Sequence, residues 1–181
     1  IFNSFIPLSL FLIDRFTVIY MLAPITFIFI LLDFLRHRVN KINSYYLFYF
    51  NIITRKNEKS YNVLTGASYY LLGCLIVITF FSNIYICISS LLIMTISDSF
   101  AAIIGIKYGK TQLYKKKSLE GSTAFFITSV VIIILFLPSL SVISIFIISF
   151  SATLAELLVP HKINDNLIVP LVASFLSNIL V

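Results

Sequence analysis

Tryptophan is absent from this chain and charge is scarce: seven carboxylates and thirteen Lys and Arg among 181 residues, 11% of the sequence. A water-soluble domain needs a polar surface, and about a quarter of its residues are normally charged. Two cysteines, Cys74 and Cys87, each sit inside an apolar run without CxxC spacing, which argues against a zinc site and leaves both as core residues. Two histidines, His37 and His161, fall in polar segments and form no HExxH or paired-ligand pattern. No charged start leads to a small-residue cleavage site, so no cleavable signal stands out.

What fills the chain is 60% hydrophobic residues, with a mean hydropathy of +1.05. A helix needs about 17–25 apolar residues to cross roughly 30 Å of hydrocarbon, and such runs follow one another here. They are Ile1 to Ile13, Phe16 to Leu32, Val63 to Phe81, Ile84 to Ile104, Thr123 to Leu137, Leu140 to Val159 and Leu167 to Val181. None alternates as a barrel strand does, so the expected fold is all-α: one integral membrane domain over residues 1–181, a bundle of about seven spans. The chain opens on Ile in mid-helix, and a short N-terminal segment is expected to precede it.

Basic residues mark the cytosolic side of such a bundle. Arg36, Arg38, Lys41, Arg55, Lys56 and Lys59 follow the second run, Lys107, Lys110 and Lys115 to Lys117 the fourth, and Lys162 the sixth; Arg15 alone falls opposite. Counting spans puts those three segments on one side. Asp33, Glu58, Asp98, Glu120, Glu156 and Asp165 gather at the same side, with Asp14 alone opposite. Between the second and third runs, Tyr45, Tyr46, Phe48, Tyr49 and Phe50 flanked by basic residues suit an interfacial helix, shaping lipid entry or anchoring the bundle.

Asp98 stands about six residues inside the apolar limit at Ile104, where an unpaired carboxylate costs roughly 2.5–3.5 kcal/mol. At helical spacing it shares a face with Ala101, Ala102 and Gly105, an open slot. Gly105 and Gly109 form GxxxG, which a packing seam explains equally well. A seam does not explain an acid followed by Lys110, Lys115, Lys116 and Lys117; a divalent cation with a polyphosphate does. In "KSLEGS", Gly121 and Ser122 open a helix whose N-terminus is also an anion site, with Glu120 a second metal ligand or a partner of Lys117. Glu156 closes a polar strip through Ser149, Ala152 and Thr153, and Asp165 and Asn166 follow in a turn-rich segment.

These segments, taken in order, resemble the CTP-dependent lipid kinases: dolichol kinase, phytol kinase and yeast-type diacylglycerol kinase. The resemblance rests on Asp33 and Arg36 in "LLDFLRHR", Arg55 and Glu58 in "RKNE", Gly66 in "LTGAS", "SDSFAAIIGIKYGK", "KKSLEGS", Glu156 and "NDNLIVP". Phosphatidate cytidylyltransferase is similar through the middle, but its C-terminal hallmark is absent. Two departures from the kinases are the missing basic, His-containing opening and Ser97 where many relatives have Gly.

The resemblance implies transfer of a phosphoryl group from CTP, with Mg²⁺, to polyprenol, phytol or diacylglycerol. The expected metal ligands are Asp98, Glu120 and Glu156. Nucleotide contacts would come from Gly105, Gly109, Lys110, Lys117, Ser118, Gly121 and Ser122, with Asp165 and Asn166 at the lipid hydroxyl and Arg55 and Glu58 in support. The alternatives are the cytidylyltransferase reaction and a small membrane transporter or scaffold. A bacterial inner membrane with the site facing the cytoplasm is expected, with no nucleic-acid partner.

Overall fold

The computed structural model describes residues 4–38, 64–114, 117–159 and 164–181. Helix α1 is Phe5–Ser9 and α2 is Arg15–Arg38; α3 is Gly66–Phe80. Helix α4, Ile84–Leu92, runs through a π-helical stretch, Ile93–Ser97, into α5, Asp98–Tyr108. A short antiparallel ribbon pairs β1, Gln112–Tyr114, with β2, Lys117–Ser118. Helices α6, Leu119–Phe136, α7, Val142–Leu158, and α8, Asp165–Leu180, complete the order.

Three helical segments are long and apolar enough to cross a membrane: Arg15–Arg36, Ile84–Tyr108 and Leu119–Phe136. Helices α3, α7 and α8 are equally apolar but shorter. The all-α membrane bundle expected from the apolar runs is therefore present. In the first run the described residues form the five-residue α1 and then turn at 10–13.

Polar caps set where the helices begin. Thr65, Asn83, Ser118, Ser141 and Asn164 each accept a backbone N–H of the following first turn, satisfying donors that hydrocarbon cannot. Helix α4 is the hub, with every residue from Ile86 to Leu92 buried against α6 and α8. Val77, Ile88, Leu91, Phe125, Ile133, Ile148 and Ala173 fill the interior. Phe27, Leu135, Val142 and Ile143 point outward, as residues facing lipid do.

Hydroxyls inside the bundle mostly return to their own helix. Thr26, Ser90, Thr128, Thr153 and Ser174 each donate to the carbonyl four residues back. Ser129 donates both to Phe125 and across to Ser97. Ser122 and Ser149 are different: their hydroxyls are buried with no hydrogen-bond partner among the described residues.

Candidate active site at one end of the bundle

Polar contacts gather the ends of five helices. At the foot of α2, Asp33 Oδ2 accepts from Thr65 N at 2.8 Å, Thr65 Oγ1 at 2.9 Å and Ser68 Oγ at 2.6 Å, all at the start of α3. Its Oδ1 lies 3.2 Å from Arg36 Nε, and both side chains are almost wholly buried. Asn166 Nδ2, at the start of α8, donates to the Gly66 carbonyl at 3.2 Å. Lys117, just ahead of α6, places Nζ 2.6 Å from Glu156 Oε1 near the end of α7 and 3.7 Å from Asp165 Oδ2. The same ammonium donates to the Glu156 carbonyl. Opposite, Arg15 Nη2 donates to the Thr79 carbonyl at 2.9 Å.

A cavity of about 400 Å³ opens at the gathered end, within the size range of small-molecule sites. Asp98, Glu156, Asp165 and Lys117 line it, together with Ser118 and Ser122. Asp98, Glu156 and Asp165 also line a narrow recess beneath, where Met94, Phe125 and Val169 supply apolar walls. The π-helical stretch ends immediately before Asp98. A π turn holds an extra residue, so it changes the face on which the following residues emerge.

The cavity exists because α5 and α6 cross almost backbone to backbone. An added Cβ at Gly121 would lie 2.9 Å from the Ala101 carbonyl oxygen and 3.3 Å from Gly105 Cα. Ser118 fixes the crossing from the other side, since its Oγ accepts from Gly121 N at 3.2 Å. Gly105 and Gly121 thus act as a packing seam, and both also line the cavity.

Of the residues expected at the site, Asp98, Gly105, Lys117, Ser118, Gly121, Ser122, Glu156 and Asp165 line this cavity and Asn166 the recess below. Glu120 is turned elsewhere: its two carboxylate oxygens accept from the Thr111 amide at 3.2 and 3.4 Å, tying α6 to the ribbon. Gly109 and Lys110 are exposed and do not line the cavity. Arg55, Glu58, Lys115, Lys116 and the aromatic cluster at 45–50 lie outside the described residues. The sequence reading missed Thr65 and Ser68 as partners of Asp33; the Thr-x-x-Ser spacing at the start of α3 was the available signal.

The donor set fits a hard divalent cation. Three carboxylates, Asp98, Glu156 and Asp165, face the cavity against the single lysine in its described lining. No three His, Cys, Asp or Glu side chains converge tightly enough among the described residues to cage an ion. Mg²⁺ seldom needs such a cage, because it takes one or two carboxylates and completes its shell with phosphate oxygens and water.

No family model and no solved structure matches the chain. An uncharacterized protein of Rickettsia prowazekii is 36% identical over 172 residues, covering 91% of this chain and 83% of that one. The chain belongs to the family of that rickettsial protein. An uncharacterized protein of Methanocaldococcus jannaschii is 32% identical over 129 residues, 71% of this chain and 63% of its own length. A probable chloroplastic phytol kinase of Triticum aestivum is 30% identical over 144 residues, 71% of this chain and 48% of its own. The chain therefore spans about half the length of the wheat protein, and its likeness to a lipid kinase is distant and partial.

Proposed function

We propose that this protein is a membrane lipid kinase that transfers the γ-phosphoryl group of CTP to the hydroxyl of a polyprenol, phytol or diacylglycerol. The observation that carries the reading is the cavity in which Asp98, Glu156, Asp165 and Lys117 meet at one end of an apolar bundle. The likeness to the wheat protein supports the reaction class; the choice of CTP rests on the resemblance of the motifs.

Lys117 is the point charge that faces the phosphate chain, and its two carboxylate partners hold it in place before nucleotide arrives. The start of α6 presents backbone N–H groups beside it, a favourable place for anionic oxygens. Asp98 and Asp165 would hold Mg²⁺, which when bound neutralises charge developing on the transferring group. Gly105 and Gly121 keep the wall thin enough for the phosphates to come close, and the bundle fixes donor and acceptor in line.

Among the described lining residues the acids outnumber the lysine three to one. Nucleotide and metal are common to both reactions, and beside such a lining an uncharged alcohol adds less repulsion than phosphatidate would, which favours the kinase over the cytidylyltransferase reaction. Described basic residues Arg36, Arg38, Lys107, Lys110 and Lys117 lie at the cavity end and Arg15 at the other, which supports a cytoplasmic site in a bacterial inner membrane.

The label decides the chemistry. Purified protein in lipid, given Mg²⁺, γ-labelled CTP and a mixture of polyprenol, phytol and diacylglycerol, is expected to yield labelled lipid phosphate. Label entering lipid only from α-labelled CTP, and only with phosphatidate, would establish the cytidylyltransferase instead. No lipid product from CTP or ATP would leave a transporter or scaffold.

A further inference from the structure

Two polar atoms in the cavity wall have nothing to bind among the described residues. Glu156 is 5% exposed and Ser122 is 8% exposed, and both Glu156 Oε2 and Ser122 Oγ are buried without a hydrogen-bond partner. Both residues line the same cavity, one from α7 and one from α6. Orphaned buried polar atoms are costly, and elsewhere in this bundle the hydroxyls return to their own helix. Ser149, also unpartnered, does not line the cavity.

We infer that Ser122 and Glu156 form the subsite for the acceptor hydroxyl, and that Glu156 Oε2 takes its proton. The inference rests on the kinase reading and assigns a residue pair within it. An alcohol donates one hydrogen bond and accepts others. Glu156 Oε2 supplies an acceptor and Ser122 Oγ–H a donor, so the pair is complementary to one O–H. The other oxygen, Oε1, is held by Lys117 at 2.6 Å, which fixes the carboxylate. Asp165 is less suited: its Oδ1 already accepts from the Asn166 amide, and its side chain is 20% exposed against 6% for Glu156.

The surroundings match the carbon that carries the hydroxyl. Met94, Phe125 and Val169 pack as a closed apolar floor beside Glu156, and Ala102 and Ile106 carry the cavity rim onto the exposed face of α5, where an alkyl chain can lie. In the step itself, the acceptor O–H bond breaks and its proton moves to Glu156 Oε2 while the oxygen bonds to the γ-phosphorus. The bond from that phosphorus to the β,γ-bridging oxygen breaks, and its electron pair leaves on the nucleoside diphosphate. Water then takes the proton from the carboxylic acid.

Ser122→Ala gives the cleaner test, because it deletes a hydroxyl that has no hydrogen-bond partner among the described residues. It should raise KM for the lipid alcohol about five- to tenfold and leave KM for CTP and the melting temperature unchanged. Glu156→Gln should lower kcat about 10²- to 10⁴-fold, well beyond any loss of nucleotide affinity from its weaker hold on Lys117. An unchanged lipid KM in Ser122→Ala, or a rise in the CTP KM instead, would overturn the subsite. If Glu156→Gln does not fold, the Ser122→Ala result decides alone. Transfer by the wild-type protein with an unaffected Ser122→Ala variant would sink this assignment only; absence of transfer by the wild-type protein would remove the kinase reading with it.

Discussion

Replacing Gly121 with alanine probes the crossing that makes the cavity. The new Cβ would lie 2.9 Å from the Ala101 carbonyl oxygen, 3.2 Å from Ser118 Oγ and 3.3 Å from Gly105 Cα. Ordinary van der Waals contact begins at 3.4 Å, so α5 must retreat by about 0.5 Å. Two of the three obstructing atoms belong to the backbone, and no change of rotamer relieves them. Overpacking of this kind costs about 1–3 kcal/mol. Lipid offers no hydrophobic force to press the helices back together. A loss of about 2 kcal/mol changes the ratio of folded to unfolded protein roughly thirtyfold. The same retreat carries Asp98 away from Lys117, and a shift of about 1 Å at a reacting centre can cost roughly 10²-fold, so half that distance should cost about tenfold in turnover.

Gly105→Ala is the control, since its Cβ meets a movable hydroxyl at 3.2 Å and the Gly121 Cα only at 3.7 Å. It should cost less than about 1 kcal/mol. Heating both variants in detergent and following the monodisperse fraction, alongside label transfer, measures the two effects. A Gly121→Ala protein that melts and turns over like wild type, or a Gly105→Ala protein that is the worse of the two, refutes the reasoning.

Asp33→Ala should cost about 3–5 kcal/mol, because it takes a paired carboxylate from buried Arg36 and removes the acceptor for Thr65 and Ser68; thermal unfolding in detergent reads the loss. Asp98→Asn should abolish turnover while the protein still inserts and elutes as a single species, whereas exposed Lys107→Gln should change the rate little; a wild-type rate in Asp98→Asn would leave Asp98 a packing residue. Cysteines introduced at the exposed positions Lys110 and Ser139 should react with an impermeant reagent from the cytoplasmic and external sides respectively. Cys74 and Cys87 are buried and should stay silent; labelling of position 110 from outside would invert the topology.

The apolar runs made the helices legible, because a membrane span must hold its hydrogen bonds within itself and its composition follows. Boundaries drifted where a cap outranked hydropathy: the run from Val63 begins as helix at Gly66, behind the Thr65 cap, and that from Ile84 continues to Tyr108. The π-helical stretch at Ile93–Ser97, which packs against α6 and α8, left no readable mark in the local composition. Asp98 stood out as a charge too costly to be idle, and Lys117 as one of a lysine cluster that a packing seam does not explain. Their meeting with Glu156 and Asp165 joins residues dozens of positions apart, a pairing that no periodicity encodes. Glu120 shows the converse: its place beside the lysine cluster suggested a ligand, yet the ribbon brings the Thr111 amide to it.

The short helices have a consequence for the surrounding lipid. At about 1.5 Å per residue, α3 and α7, with 15 and 17 residues, reach only about 22–26 Å, against roughly 30 Å of hydrocarbon. A bilayer wrapped around them must pinch inward on that flank, while the 25-residue Ile84–Tyr108 segment meets it at full thickness. The headgroup plane would dip toward Glu156 and Asp165, and a lipid alcohol beside α7 would have less distance to climb. Turnover should then fall as the acyl chains of the host membrane lengthen, because a thicker membrane resists the dimple that brings its own substrate to the site.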